Sequence, residues 1–175
     1  MPVRPESKRS ASSQLTWRAA FALAFSLCAA WQSGAAPAAE SRVAEPLESF
    51  PQSALEIRSR QGRQWFNIRI ADNEARQEQG LMYVRALPAD EGMLFPVAKP
   101  RVMTFWMKNT VIPLDLLFIT AHGRIACLRE QARPLVLDLI SCDKTVKAVL
   151  EIGGGEAAKR GIRVGDQVSH AVFHR

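Results

Sequence analysis

The sequence predicts a mainly β fold, an antiparallel sandwich or barrel with two short helices on it. Short apolar runs recur along the chain, and several of them alternate apolar and polar residues with the period of a strand. Gly and Pro turns separate these runs at close intervals, which is typical of all-β domains. At 175 residues, the chain has the length of one ordinary domain.

The first 38 residues have the order of a secretory signal peptide. A basic start precedes the apolar run Ala19–Trp31 and the small-residue segment Gln32–Ala39. The A-x-A pattern Ala36–Ala38 predicts cleavage after Ala38, so we expect the mature protein in the periplasm or outside the cell. An uncleaved anchor is the alternative, although the run is shorter than the ~20 residues of a membrane-spanning helix. No later segment has the sequence of a membrane span.

The net charge gives little support for a nucleic-acid partner. Half of the +6 of the full chain belongs to residues 1–38, which carry four basic residues and one acidic residue. The remaining excess is spread along the chain, whereas nucleic-acid-binding domains concentrate basic residues on one face. We therefore expect no nucleic-acid partner.

Cys127 and Cys142 are the two cysteines that remain after residue 38. In an oxidising compartment an even pair is compatible with a disulfide, and the sequence favours this pairing over two buried free thiols.

The predicted elements follow a linker. Residues 39–52 are rich in Ala, Glu, Ser and Pro without periodicity and predict a disordered linker, so the domain is expected over 53–175. Alternation and turn residues then predict a hairpin with strands around Leu55–Arg58 and at Gln64–Ala71, followed by a capped helix at Glu74–Gln79 and a strand at Met93–Phe95 that ends at Pro96. Three strands are predicted next, at Val102–Lys108, Leu114–Ala121 and Arg124–Arg129, and then a strand or loop at Leu135–Ile140. The last predicted elements are a strand at Val146–Ile152, a helical turn at Glu156–Arg160 and a strand at Gln167–Phe173.

A polar island lies inside the most apolar stretch of the chain, Phe105–Ile119. Lys108 and Asn109 follow one apolar run, and Asp115 lies inside the next. Buried polar groups need partners, so these residues either form a site or fix a turn. As a site, Lys108, Asn109 and Arg85 would bind a small anionic or polar ligand beside Trp106. As a turn, Asp115 would accept backbone or Asn109 hydrogen bonds and pair with Lys108, which the sequence favours.

Several ordered motifs resemble one known family, the domain of unknown function 192 family. They are GLMY at Gly80–Tyr83, Leu87-Pro88, GMLF at Gly92–Phe95, FWMKNT at Phe105–Thr110, IPLD at Ile112–Asp115, His122-Gly123-Arg124, VLE at Val149–Glu151 and GDQV at Gly165–Val168. The resemblance covers about residues 53–174. It implies a single jelly-roll-like domain, often exported, and no established activity. Val84 departs from the pattern, which has a basic residue after Tyr83.

Other chemistry has weaker support in the sequence. Met82, Met93, Met103 and Met107 could bind Cu(I), but their spacing favours core packing, and we expect no metal and no cofactor. The glycines of 153–155 favour a strand–helix corner over an anion cradle. Glu91 and Glu151 could be paired acids, although nothing fixes their separation.

The sequence leaves three functional hypotheses, and it gives neither a catalytic residue nor an oligomeric state. The first is an exported binding module for a small polar or anionic ligand or an envelope component, without catalysis. The second is a hydrolase or transferase that uses Asp115 or Glu91 as its acid or base. The third is a structural or assembly factor, for which an envelope protein would be the partner.

Overall fold

A computed structural model of the chain describes residues 44–173, and the predicted signal peptide lies outside this range. The fold is mainly β, as predicted: seven strands form a curled, half-barrel sheet, and two short strands form a second sheet. The elements in chain order are the 3-10 turn η1 (Leu47–Ser49), β1 (Gln52–Ser59), β2 (Gly62–Ile70), α1 (Glu74–Gln79), β3 (Glu91–Arg101), β4 (Thr104–Phe105), β5 (Leu114–Ile119), β6 (Ile125–Ala132), β7 (Ile140–Ser141), β8 (Val146–Gly153), α2 (Glu156–Lys159), β9 (Gln167–Ser169) and the 3-10 turn η2 (Ala171–Phe173).

The large sheet has the strand order β6-β5-β8-β3-β2-β1-β9. Every neighbouring pair is antiparallel except β2 and β3, which are parallel. A parallel pair needs a crossover connection, and residues 71–90, which include α1, are long enough to supply it. Local periodicity carries no signal for strand direction, so the sequence did not indicate this pair.

The two faces of the sheet carry separate apolar clusters. Leu94, Leu117 and Leu150 belong to one, which α2 covers, and we call it the α2 face. Phe95, Phe118 and Val149 belong to the other, which we call the cleft face. Alternate residues of β5 and β8 therefore point to opposite cores, and both strands are buried along nearly their whole length.

Three predicted elements differ from the structure. The predicted strand Val102–Lys108 is wrong except at β4, because this segment has only the two-residue β7 as a strand partner. β3 continues past Pro96 to Arg101; β2 pairs with it only as far as Leu94, so the missing N–H of Pro96 leaves no bond to β2 unmade. The last strand ends at Ser169, and η2 follows.

The predicted disordered linker does not extend over residues 44–52. Phe50 is buried in the cluster of the cleft face, and Arg76 of α1 donates hydrogen bonds to Glu45. β1 begins at Gln52. The burial of Phe50 helps to order the short polar segment beside it. The composition of the whole segment did not reveal the contribution of this one residue.

Asp115 connects β5 to two other parts of the chain. Its carboxylate is fully buried and accepts backbone hydrogen bonds from Gln131 at 2.7 Å, Gly155 at 3.0 Å and Ala157 at 2.9 Å. The corner before α2 is tight because Gly154 lies against Pro113, where an added Cβ would come within 2.8 Å of the Pro113 side chain. The glycines of 153–155 form the predicted strand–helix corner.

A disulfide joins Cys127 of β6 to Cys142, which follows β7, with the two Cα atoms 6.1 Å apart. It closes the loop that connects β6 to β7, so this loop is tied to the cleft face at both ends.

We expect Asp115→Ala to lower the free energy of unfolding by about 3 kcal/mol, because three N–H groups would lose a charged acceptor. Urea denaturation followed by circular dichroism measures this change. Asp138→Ala is the matched control, since Asp138 is exposed, and it should change the free energy by less than about 0.5 kcal/mol. Equal effects of the two substitutions would contradict the structural role of Asp115.

Thiol titration of the unfolded protein should find Cys127 and Cys142 blocked before reduction and reactive after it. The double variant Cys127→Ser/Cys142→Ser should lose about 3 kcal/mol of stability. The two cysteines are 15 residues apart, and this is the loss that the chain-entropy model gives for a loop of that length. Two reactive thiols in the unreduced protein, beyond that of Cys28 where residues 1–38 are retained, would exclude the disulfide.

Candidate functional site

A cleft of about 380 Å³ opens on the cleft face of the sheet, between the end of α1 and the segment 101–110. This volume is within the range of small-molecule sites in proteins. Its apolar lining includes Leu81, Phe95, Met103 and Phe105. Phe95 and Phe105 meet edge to face, with ring centroids 5.2 Å apart, so the aromatic part of the wall is fixed by its own packing.

Glu151 of β8 lines this cleft at the level of the sheet. Its neighbours across the strands are Met93 of β3 and Leu116 of β5, both buried. The residue is 5% exposed, and its carboxyl group accepts no hydrogen bond among residues 44–173. Burial raises the pKa of Glu151 to about 8, because the apolar surroundings disfavour the charged form. At neutral pH it is therefore mostly a neutral acid that can donate a hydrogen bond into the cleft.

Two other polar side chains of the lining are used by the fold. The amide of Gln77 donates to the carbonyl oxygens of Ala71 and Pro96. The amide of Gln79 exchanges two hydrogen bonds with the backbone of Glu45. Glu151 differs from them, because its polar atoms have been left to solvent or to a ligand.

Two cations border the cleft. Arg101 at the end of β3 and Lys108 both line it and are exposed. The ammonium group of Lys108 lies 5.2 Å from the ring centroid of Trp106, which holds it near the same wall by a cation–π contact. The cleft therefore combines an apolar wall and a buried neutral acid with three exposed charged residues, the cations Arg101 and Lys108 and the acid Glu78.

The structure brings together only part of the polar island. Trp106 and Lys108 line the cleft. Asn109 turns the chain with φ of +57°, its carbonyl accepts from Tyr83, and its side-chain amide contacts Met82. Arg85 is exposed and does not line the cleft, and Val84 packs against the core.

Asp115 lies apart from the cleft because of strand alternation. Its neighbour across β8 is Ile152, which packs on the α2 face, whereas Leu114 and Leu116 point to the cleft face. Its hydrogen bonds go to backbone N–H groups and none goes to Lys108 or Asn109. Of the two sequence hypotheses, this matches the structural one, although Asp115 fixes the chain around Gln131 and α2 and not the turn at Asn109.

Glu91 does not contribute to the cleft either. It forms an ion pair with Arg69 of β2 and is absent from the lining. Glu91 and Glu151 lie on the same side of the sheet, since Met93 lies across from Glu151 and Glu91 is two residues from Met93. Only Glu151 of this pair faces the cleft.

The described part of the chain, 44–173, has no group of three His, Cys, Asp or Glu side chains that could hold a metal ion. Met93 and Met107 are buried in the core, and Met82 and Met103 line the cleft with aromatic neighbours.

Sequence reasoning gave Glu151 too little weight. β8 alternates Leu150 and Ile152 with Val149 and Glu151, and the second set resembles the solvent side of a half-buried strand. In the structure β8 has a strand on each side and a core on each face. The apolar Val149 beside Glu151 was the available signal that this side is also buried.

Comparison with known proteins adds a family to this geometry. The model of domain of unknown function 192, described as uncharacterized ACR, matches residues 56–170. The chain belongs to this family. The resemblance seen in the sequence motifs is thereby confirmed. No curated protein matches the chain.

Two solved structures of the same fold are similar to this DUF192 protein in sequence as well. One is a candidate transcription regulator from Sinorhizobium meliloti 1021, 34% identical, with a TM-score of 0.69; the match covers 71% of this chain and 97% of that one. The other is a protein of unknown function from Novosphingobium aromaticivorans DSM 12444, 35% identical, with a TM-score of 0.69 and coverage of 73% and 91%. Neither relative brings an activity with it.

Within residues 44–173, no helix combines the length and the apolar composition that crossing a membrane requires.

Glu151→Gln should stabilise the protein at neutral and alkaline pH. A carboxyl whose pKa is higher in the folded protein than in the unfolded chain contributes stability at low pH, and that contribution is lost as the pH rises toward 8. The glutamine amide does not ionise, so the variant should gain about 3 kcal/mol relative to wild type at pH 7. Urea unfolding at several pH values measures this gain.

The gain should shrink as the pH falls toward 4.5, the ordinary pKa of a glutamate. Glu130→Gln is the matched control, because Glu130 is exposed on β6, and its effect should be small at every pH. A gain for Glu151→Gln that does not vary with pH would show that burial does not hold Glu151 neutral.

Proposed function

We propose that this domain is a non-catalytic binding module for a small ligand with an apolar body, a hydrogen-bond acceptor and an anionic group. The observation that carries the proposal is Glu151, a buried residue whose carboxyl has no partner among the described residues and faces the cleft. Since no side chain or backbone group of residues 44–173 makes a hydrogen bond to the Glu151 carboxyl, an acceptor atom of a ligand can take the place of solvent beside it. The proposal narrows the polar or anionic ligand that the sequence suggested.

The apolar body of the ligand would lie against Phe95, Met103 and Phe105, which belong to the apolar part of the wall. The acceptor, a carbonyl or ether oxygen, would receive the proton of the neutral Glu151. The anionic group would remain at the edge of the cleft, near Arg101 and Lys108, where water still screens the charge. An anion at this edge also favours the neutral form of Glu151, so the two polar contacts support one another.

The composition of the cleft supports binding over catalysis. Within the described residues, its lining contains no His, Cys or Ser that Glu151 could activate or relay a proton to. The acids that the sequence suggested for catalysis are engaged elsewhere: Asp115 with three backbone N–H groups and Glu91 with Arg69. The lining holds one other acid, Glu78, which is exposed, whereas Glu151 is buried. The proposal gives Glu151 the role of a hydrogen-bond donor that orients the ligand.

The test uses three probes that differ by one group each. 6-Oxoheptanoate has the apolar body, the acceptor and the anion; heptanoate lacks the acceptor, and 2-heptanone lacks the anion. Calorimetry at pH 6.5 should rank 6-oxoheptanoate as the tightest, with heptanoate and 2-heptanone each weaker by up to about tenfold. At pH 9.5, where Glu151 ionises, the advantage of 6-oxoheptanoate over heptanoate should disappear.

Variants assign this binding to the cleft. Glu151→Leu should remove the preference for the ketone, and Arg101→Gln with Lys108→Gln should remove the preference for the carboxylate. Arg85→Gln is the matched control, since Arg85 is an exposed cation outside the cleft. If none of the three probes binds, or if they bind equally well to wild type and to Glu151→Leu, the proposed ligand class is incorrect.

A further inference from the structure

An exposed apolar surface lies beside the cleft and is formed partly by the same segment of the chain. Among the described residues, six of the nine large hydrophobic side chains that are exposed lie on only two segments, 99–111 and 133–139. They are Val102, Trp106, Val111, Leu135, Leu137 and Leu139. We call these two segments together the leucine-loop surface.

The two segments are joined to one another by main-chain contacts. β4 pairs with β7 through Phe105 and Ile140, the Met107 N–H donates to the carbonyl of Val136, and the Leu135 N–H donates to the carbonyl of Thr110. The side chains of Trp106 and of the leucines therefore belong to two segments that backbone hydrogen bonds hold side by side. The disulfide between Cys127 and Cys142 ties the chain that follows segment 133–139 to β6.

The alternation within 133–139 shows why the exposed leucines are unusual. Val136 packs against the core of the cleft face, whereas Leu135, Leu137 and Leu139 are 61%, 66% and 73% exposed. Val136 is the residue that packs this segment against the core, and the three exposed leucines do not contribute to that packing. Exposed apolar clusters of this kind mark surfaces that contact a membrane or another macromolecule.

The charges around this surface distinguish between these partners. Segments 99–111 and 133–139 carry four exposed cations, Lys99, Arg101, Lys108 and Arg133, and the single acid Asp138. Exposed leucines and a tryptophan surrounded by cations are typical of surfaces that bind anionic bilayers. The apolar side chains enter the acyl boundary, and the cations contact the lipid phosphates. Trp106, with Lys108 over its ring, is suited to the depth of the headgroups.

We propose that the leucine-loop surface docks on the surface of an anionic phospholipid bilayer, with Leu135, Leu137 and Leu139 entering the acyl boundary. Trp106 and Leu139 also line the cleft. Docking would therefore place the edge of the cleft at the membrane, where amphipathic molecules partition. The docking stands on the exposed leucines and the cations, and it does not depend on the ligand proposed for the cleft.

The test needs a local signal, because residues 1–38, where retained, contain an apolar run of their own. The chain has four tryptophans, and Trp17→Phe, Trp31→Phe and Trp65→Phe leave Trp106 as the one fluorescent indole. This protein is mixed with vesicles that contain brominated phosphatidylcholine, either alone or with an equal amount of phosphatidylglycerol. The bromine atoms are placed near the glycerol end of the acyl chains, where they quench an indole only when it lies at the interface.

We expect quenching of Trp106 with the anionic vesicles, little quenching with phosphatidylcholine alone, and loss of the effect at high salt. Leu135→Gln/Leu137→Gln/Leu139→Gln should weaken the binding measured by quenching about tenfold or more. Lys99→Gln/Arg133→Gln should weaken it on anionic vesicles only. Val164→Gln is the control, because Val164 is 57% exposed outside both segments, and it should have no effect.

Two outcomes would overturn the proposal. The first is that Trp106 is not quenched by anionic vesicles at low salt, while circular dichroism shows that the protein is folded. The second is that the protein is a dimer in light scattering, the triple leucine variant is a monomer, and vesicles change neither. The surface would then be a contact between two copies of the chain.

Discussion

The rest of the structure depends on the burial of β5 and β8 on both faces. These neighbouring strands lie inside the large sheet, and their alternate side chains enter two separate cores. A polar residue in the buried part of either strand must therefore be satisfied inside the protein or face a cavity, because that part has no solvated side. Asp115 and Glu151 are the two acids in this position, and they meet the requirement in different ways.

Asp115 is satisfied by the fold. Three backbone N–H groups surround its carboxylate, and they come from the end of β6, from the corner before α2 and from α2 itself. One side chain thus fixes two connections at the end of the sheet where the loops would otherwise leave buried N–H groups unpaired. Glu151 has no hydrogen-bond partner within the described part of the fold, and its carboxyl faces the cleft. Two buried acids on adjacent strands therefore have opposite roles: one stabilises the fold, and the other is available to a ligand.

The cleft and the leucine-loop surface share the segment 102–110, which follows β3 and lies outside the large sheet. Apart from the short β4, it forms no strand, and it is held by the loop before β7, by the turn at Asn109 and by the buried Met103 and Met107. Because it runs over the cleft face and not within it, its side chains can point either into the cleft or to solvent. Trp106 and Lys108 gain their positions in this way. The same segment connects a proposed ligand site to a proposed membrane contact.

The sequence by itself determined the β class, the hairpin of β1 and β2, the bounds of α1, the full burial of Leu114–Ile119 and the family. These depend on local alternation, on caps and turns, and on the order of the motifs, all of which lie within a few residues of one another. The sequence also drew attention to the Lys108 and Asp115 region, but it could not show that the two residues lie on opposite sides of a strand layer. Only the tertiary structure decided which strands are central, that β2 and β3 are parallel, and that the side of β8 carrying Glu151 is buried. The reason is physical: the burial of a side chain depends on strands and loops that are distant in the chain, and local periodicity does not record which of them will cover it.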